Sequence, residues 1–356
     1  MKYYIRESWS SGVAKKTAGG KARDDVEKIL DNEGIKQVEV IFDVSKRNEE
    51  KMIGKIKTHI DAYQMWKSRL KNLNKGDTLF VQFPVRFHTI FFAKLIRRLE
   101  FKGVCVVVIV HDLEMLRYVK MPVYSFKASV RMSIEEKMVL RSCSKIIAHN
   151  ERMKQYLCEI GIEESKIVLL KIFDYLIPDF DIKQVNDKNN DDAVVIAGYL
   201  GKNKAVYAYD LPDNYKFNLY GIDYDGKTNE KVKYMGSFLP NELPYVLNGK
   251  FGLVWDGESS ETCKGVFGEY LRYNNPHKTS LYLASNIPVI IWKEAALADF
   301  VLENKCGIVV NSLWDIAGEI SRLTDEDYEV LCKGASAVGA KMREGFYLRE
   351  AVRQCV

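Results

Sequence analysis

At 356 residues the chain has room for two domains with substantial cores, at roughly 150 residues each. Its 47% hydrophobic and 28% charged residues are ordinary globular values, which argue against disorder and against a fibrous protein. A net charge of +5 is too mild to call for a nucleic-acid partner, and the longest apolar run, "VCVVVIV", is far too short to span a bilayer.

In chain order, "KYYI" and "QVEVIF" read as strands around a helix at about 20 to 33 that Gly34 closes, followed by a charged helical stretch at 46 to 73. "TLFVQF", the helix "HTIFFAKLIRRLEF" and "VCVVVIV" come next. "SKIIAHN" is a strand that leads into the helix "ERMKQYLCEIG", and "KIVLLKIF" is a further strand. Such alternation predicts a parallel α/β sheet covered on both faces. "FDIKQVNDKNNDD" is polar and without period, as a linker is, and alternation then restarts through "AVVIAGYL", "KFNLYGI", "VKYMGSF", "FGLVWDG", "IPVIIW" and "CGIVV". The division expected is 1–178 for a first Rossmann-like domain, 179–192 for the linker and 193–340 for a second. Residues 341–356 form a C-terminal helix that packs back on the first domain.

The N-terminus "MKYYIRESWS" carries no apolar signal core, so a soluble, unexported, cytoplasmic protein is expected. The seven cysteines are scattered and never form CxxC, which suits free thiols of a reducing compartment better than a disulfide framework or a zinc site. Charge is uneven along the chain. Between Val85 and Ser133 nine Lys/Arg face three acids, and "RFHTIFFAKLIRRLEFK" combines cations with aromatics in a way that suits contact with anionic lipid as well as an ordinary solvated helix.

Ligands of open parallel sheets sit outside the carboxyl ends of the strands, which places the candidate residues. The loop after the first strand brings Thr17, Gly19 and Lys21 to the border of a cleft, and "VIVHD" puts His111 and Asp112 at a strand's carboxyl end. "AGYLGKNKA", with Tyr199, and "NNPHKTSLYLASNIPVIIW" approach from the opposite domain. In the latter, Asn275 is expected to cap a helix whose first position is Pro276, with Asn286 as its stop. The positive end of that helix, crowded by His277, Lys278, Thr279 and Ser280, favours an anion, so a phosphate is the expected ligand.

The succession "TAGGKARDDVEKI", "IVHDLEMLR", "IIAHNERMKQYL", "IAGYLGKNK", "FNLYGI", "VKYMGSFLPNELP" and "YNNPHKTSLYLASNIPVIIW" resembles the bacterial GT-B glycosyltransferases that include the adhesin-modifying glucosyltransferases and the β-1,6-galactofuranosyltransferases. The resemblance implies the GT-B fold, two Rossmann-like domains facing across a cleft. It implies transfer of galactofuranose or glucose from a UDP-sugar held by the second domain to a glycan acceptor held by the first, in cell-surface polysaccharide or glycoprotein assembly. Lys278 would neutralise the leaving diphosphate, Asn275 and Thr279 would support it, and Lys202 or Lys204 would add a second positive charge.

An acceptor hydroxyl that attacks with inversion must lose a proton, for which Asp112, with His111 beside it, is the first candidate. Asp24 and Asp25 rank below it as acids of a helix's first turn. The competing reading has Asp112 capping the next helix. Two DxD tripeptides, "DFD" and "DYD", fall at the linker and in a polar loop, so no metal is expected, and with GxGxxG and the P-loop absent no cofactor is expected either. A lipid-linked acceptor, peripheral contact with the inner face of the cell membrane and a homo-oligomer remain open. The alternative function is a non-catalytic GT-B-like nucleotide-sugar-binding partner of another transferase.

Overall fold

The computed structural model describes residues 1–9, 18–42, 52–117, 126–186 and 191–356. Thr17, residues 46–51 of the expected charged helix and residues 187–190 of the expected linker lie outside them.

The first sheet comprises β1 (Lys2–Trp9), β2 (Lys36–Phe42), β3 (Thr78–Phe83), β4 (Cys105–Val110), β5 (Lys145–Ala148) and β6 (Ile167–Leu169), in the order β2-β1-β3-β4-β5-β6. The second comprises β7 (Val194–Tyr199), β8 (Phe217–Ile222), β9 (Val232–Gly236), β10 (Phe251–Val254), β11 (Val289–Trp292) and β12 (Gly307–Val310), in the order β12-β11-β10-β7-β8-β9. All their pairings are parallel. The central strands are apolar almost without interruption because helices cover both faces; every residue of β3, β10 and β11 is buried.

In each sheet the chain moves outward from its first strand and then returns to that strand's other side. The order of strands therefore reverses between β1 and β3 and again between β7 and β10. A crevice opens at such a reversal, outside the carboxyl ends of the strands.

On one face of the first sheet, the helices Met52–Arg69, Phe92–Phe101 and Phe126–Ser142 bury Trp66, Phe92, Ile96 and Leu140 in a single core. On the other, helix Ala18–Asn32 shares a core with the last helix, Phe346–Cys355, through Val26, Ile29 and Leu30 against Leu348, Ala351 and Val352. The chain end thus returns to the first sheet after helix Asp325–Arg343, which packs against helix His277–Ala284 of the second. Gly345 turns the chain between them with φ +73°, and a Cβ there would lie 2.7 Å from Ile29. Only glycine meets both demands without strain. Among the described residues no helix is long and apolar enough to cross a membrane.

Candidate active site

Three strand ends of the first domain converge on one polar cluster. Glu7, buried near the end of β1, accepts from the backbone N–H groups of Arg86 and Phe87 at 3.0 Å each, and Arg23 lies 3.9 Å from it. Burial raises the Glu7 carboxyl above its ordinary range, against those donors and the nearby guanidinium groups. Past the end of β4, His111 stacks on Phe173 with ring centroids 5.4 Å apart, and its Nε2 meets Gln82 Oε1 at 2.7 Å. Burial holds the imidazole well below its usual pKa, so His111 is neutral at physiological pH and serves as a hydrogen-bonding group.

Asp112 follows and stays reachable, with 34% of its side chain exposed. Arg117 Nη1 lies 2.9 Å from Asp112 Oδ2. Tyr270, from the second domain, hydrogen-bonds Asp112 and accepts from the backbone N–H of Leu113 at 2.8 Å. Desolvation raises the Asp112 carboxyl, and Arg117, Lys204 and the Tyr270 hydroxyl pull it back only in part. A carboxylate that is open to the cleft and made more basic by its surroundings can accept a proton from a hydroxyl.

The second domain contributes cations around one carboxylate. Lys278 Nζ donates to the carbonyl of Trp255 at 2.7 Å and to Asp256 Oδ1 at 3.0 Å. Lys204 and Arg117 flank the Phe267 ring, at 5.4 and 5.6 Å from its centroid. Asp256 raises the pKa of Lys204, but burial and the repulsion of Lys278 and Arg117 outweigh it, and the net direction is down. Lys278, Lys204 and Arg117 thus gather around Asp256 and Asp112, with Glu114 as a further carboxyl that interacts with Arg117 and Asp112. Lys202 points elsewhere: it pairs with Asp225 at 3.1 Å in an exposed loop and lies over the Tyr209 ring. Tyr199 ends β7, half-buried, near Tyr209.

The helix start carries one correction. Asn275 does not cap helix His277–Ala284; Pro276 occupies the cap position, and no side chain bonds the first turn. Asn275 instead joins the domains. Its backbone N–H donates to His149 Nδ1 at 2.9 Å, its side-chain amide donates to the carbonyls of His149 and Lys171, and its Oδ1 accepts from Asn150 at 2.7 Å. Ser280 likewise donates across to the carbonyl of Phe173 at 2.8 Å. Thr279 Oγ1 and His277 Nε2 are sealed from solvent with no hydrogen-bond partner. His277 hydrogen-bonds the backbone of Asp174, and burial together with Lys21 depresses its pKa to about 3. Of the five candidates at this helix start, Lys278 alone is bonded to a polar group of the cation cluster.

In the first domain, Gly19 lies in the first turn of helix Ala18–Asn32, while Lys21 is buried against Asp25 at 2.5 Å and the carbonyl of Leu176 at 2.6 Å. Its ammonium also lies 4.7 Å from the centroid of the Tyr175 ring. Asp25, whose carboxyl burial raises to about 6, is the internal partner of that lysine. Asp181 caps the short helix Ile182–Asn186 by accepting from Lys183, and Asp225 is bound to Lys202, so neither DxD tripeptide faces the cleft cluster.

Two parallel α/β domains, with a carboxylate at a strand end of one and a cation cluster in the other, define a glycosyltransferase of the GT-B fold. The whole chain superimposes on an α,α-trehalose-phosphate synthase (UDP-forming) from Burkholderia vietnamiensis with a TM-score of 0.64 at 10% identity, covering 99% of each chain. It also superimposes on the Anabaena protein HepE in complex with UDP and glucose, with a TM-score of 0.56 at 11% identity, covering 99% of this chain and 100% of that one. The chain belongs to the glucosyltransferase 3-like family: residues 2–172 match its N-terminal domain and residues 194–355 its C-terminal domain. Over 294 residues, 81% of each chain, it is 35% identical to the β-1,6-galactofuranosyltransferase WbbI of Escherichia coli K12.

Proposed function

We propose that the protein transfers galactofuranose or glucose from a UDP-sugar to a glycan acceptor in cell-surface polysaccharide or glycoprotein assembly, without a divalent metal. The observation that carries the reading is the arrangement across the cleft. Asp112 stands at the end of β4, and Lys278 and Lys204 stand opposite around Asp256. In an inverting transfer, the acceptor hydroxyl gives its proton to Asp112 as its oxygen bonds the anomeric carbon. The bond from that carbon to the diphosphate oxygen breaks, and UDP leaves with its new charge facing the two ammonium groups. Arg117 links the halves, holding Asp112 on one side and lying beside Phe267 on the other.

Fixed ammonium groups do the electrostatic work that a metal does elsewhere, which supports a metal-independent donor site. Titration of UDP by calorimetry, with and without EDTA, tests this. The expected outcome is the same affinity in both, and loss of most of the affinity in EDTA would overturn it. Slow hydrolysis of the UDP-sugar without acceptor is expected as well, and its absence with every UDP-hexose tried would favour a binding protein over an enzyme.

A further inference from the structure

We infer that the outer helical face of the N-terminal domain docks on an anionic phospholipid surface. A groove of about 980 Å³ runs between helices Met52–Arg69 and Phe92–Phe101, away from the cleft. Its lining carries six cations, Lys67, Lys71, Lys94, Arg97, Arg98 and Lys102, and no carboxylate. The exposed side of helix Phe92–Phe101 consists of Lys94, Arg97, Arg98 and Phe101, while its apolar side is buried in the core. Phe101 is 96% exposed, an unusual position for a phenyl ring in water, and it lies at the rim of these charges.

The neighbouring helix, Phe126–Ser142, packs on the same side of the sheet. Its exposed residues from 130 onward are Val130, Arg131, Ile134, Met138 and Arg141, which helical spacing sets on one face. Apolar residues in the middle of basic ones, at the same outer surface, are the pattern of a helix lying in a lipid interface. Charge complementarity favours an anionic surface, and the exposed phenyl, isoleucine and methionine side chains favour one with an apolar interior over a nucleic acid or a soluble anion. The inference stands on this surface alone and does not depend on the sugar or on the catalytic assignment.

The test is co-sedimentation of the intact protein with vesicles of phosphatidylcholine alone or of phosphatidylcholine mixed with phosphatidylglycerol. Binding is expected only to the mixed vesicles and should weaken as salt is added. A Lys94→Gln, Arg97→Gln, Arg98→Gln variant should bind about 100-fold more weakly, at about fivefold per charge removed. Phe101→Ser should also weaken binding, and because the ring is solvent-exposed the melting temperature and donor hydrolysis of both variants should be unchanged. Equal binding to both vesicle types, no binding, or full binding by the triple variant would overturn the inference. So would tighter, salt-sensitive binding to a single-stranded oligonucleotide than to the mixed vesicles, or a dimer in solution that Phe101→Ser dissolves.

Discussion

At Asp112, the base we propose, two opposing effects set the carboxyl's pKa. Burial raises the carboxyl's pKa, while Arg117, Lys204 and the Tyr270 hydroxyl lower it. A base acts when ionised, so transfer should fall as pH drops through this raised pKa, at a higher pH than an ordinary aspartate would give. Tyr270→Phe removes one of the lowering influences and should move the acid limb of the kcat/KM profile further up; a profile that stays put would show that Asp112 does not control that limb. Asp112→Asn keeps size and hydrogen bonding but loses basicity, so transfer should fall roughly 100-fold with UDP affinity and melting temperature preserved. Near wild-type transfer by this variant would remove Asp112 from the mechanism. Lys278→Ala should weaken UDP binding through loss of a charge-assisted bond of the stronger kind. It should also leave Asp256 short of a partner, and stability measured beside affinity separates the two effects.

At the scale of elements, the start of helix His277–Ala284 is held against the first domain. His149 serves this contact as a neutral ring: its Nε2 hydrogen-bonds the carbonyl of Val110 at 3.0 Å, and its Nδ1 accepts from Asn275. Burial lowers its pKa from 6.5 to about 4. A depressed histidine contributes stability that is complete above its unfolded pKa and is lost as pH falls through the folded value. The contact should therefore weaken between pH 6.5 and about 4, and His149→Gln should flatten that part of the stability curve. Asn275→Ala strands the carbonyls of His149 and Lys171 and should cost about 2–3 kcal/mol in denaturant unfolding. A cost near zero would mean that the contact is incidental.

These elements also show what the sequence could convey. "TLFVQF", "AVVIAGYL" and "IPVIIW" are readable as strands because burial on both faces leaves them apolar throughout, and Asn286 is readable as a stop because it takes the left-handed turn, with φ +60°. Asn275 misleads because its partners, His149 and Asn150, lie 126 and 125 residues away, and no local pattern separates a cap from an interdomain clasp. Asp256 follows β10 as Asp112 follows β4, so the same strand-end rule reaches it once applied to "LVWDG". Tyr270 and Arg117 carry no such signal. Each acquires its place only when a short helix is set against the opposite domain.

Across the whole molecule, the last helix ties the end of the chain to the first domain. Asp174 receives the backbone N–H groups of Tyr347 and Leu348 at 3.1 and 2.7 Å, so a carboxylate sits at the positive end of helix Phe346–Cys355. Gly345→Ala should cost about 1–2 kcal/mol for the left-handed backbone alone, with the contact to Ile29 added to it. Thermal unfolding measures this, and an unchanged melting temperature would mean that the turn relaxes freely.

The return of that helix has a mechanical consequence. The polypeptide passes between the two bodies twice, once after Phe173 and once at Gly345, and the Asn275 clasp lies beside the first passage. Two tethers fix a line, and rotation about that line is the motion they resist least; sliding and twisting would stretch one of them. Opening and closing of the mouth can then vary while the floor keeps its registry, so a donor seated deep would see nearly the same walls whether the entrance is wide or narrow.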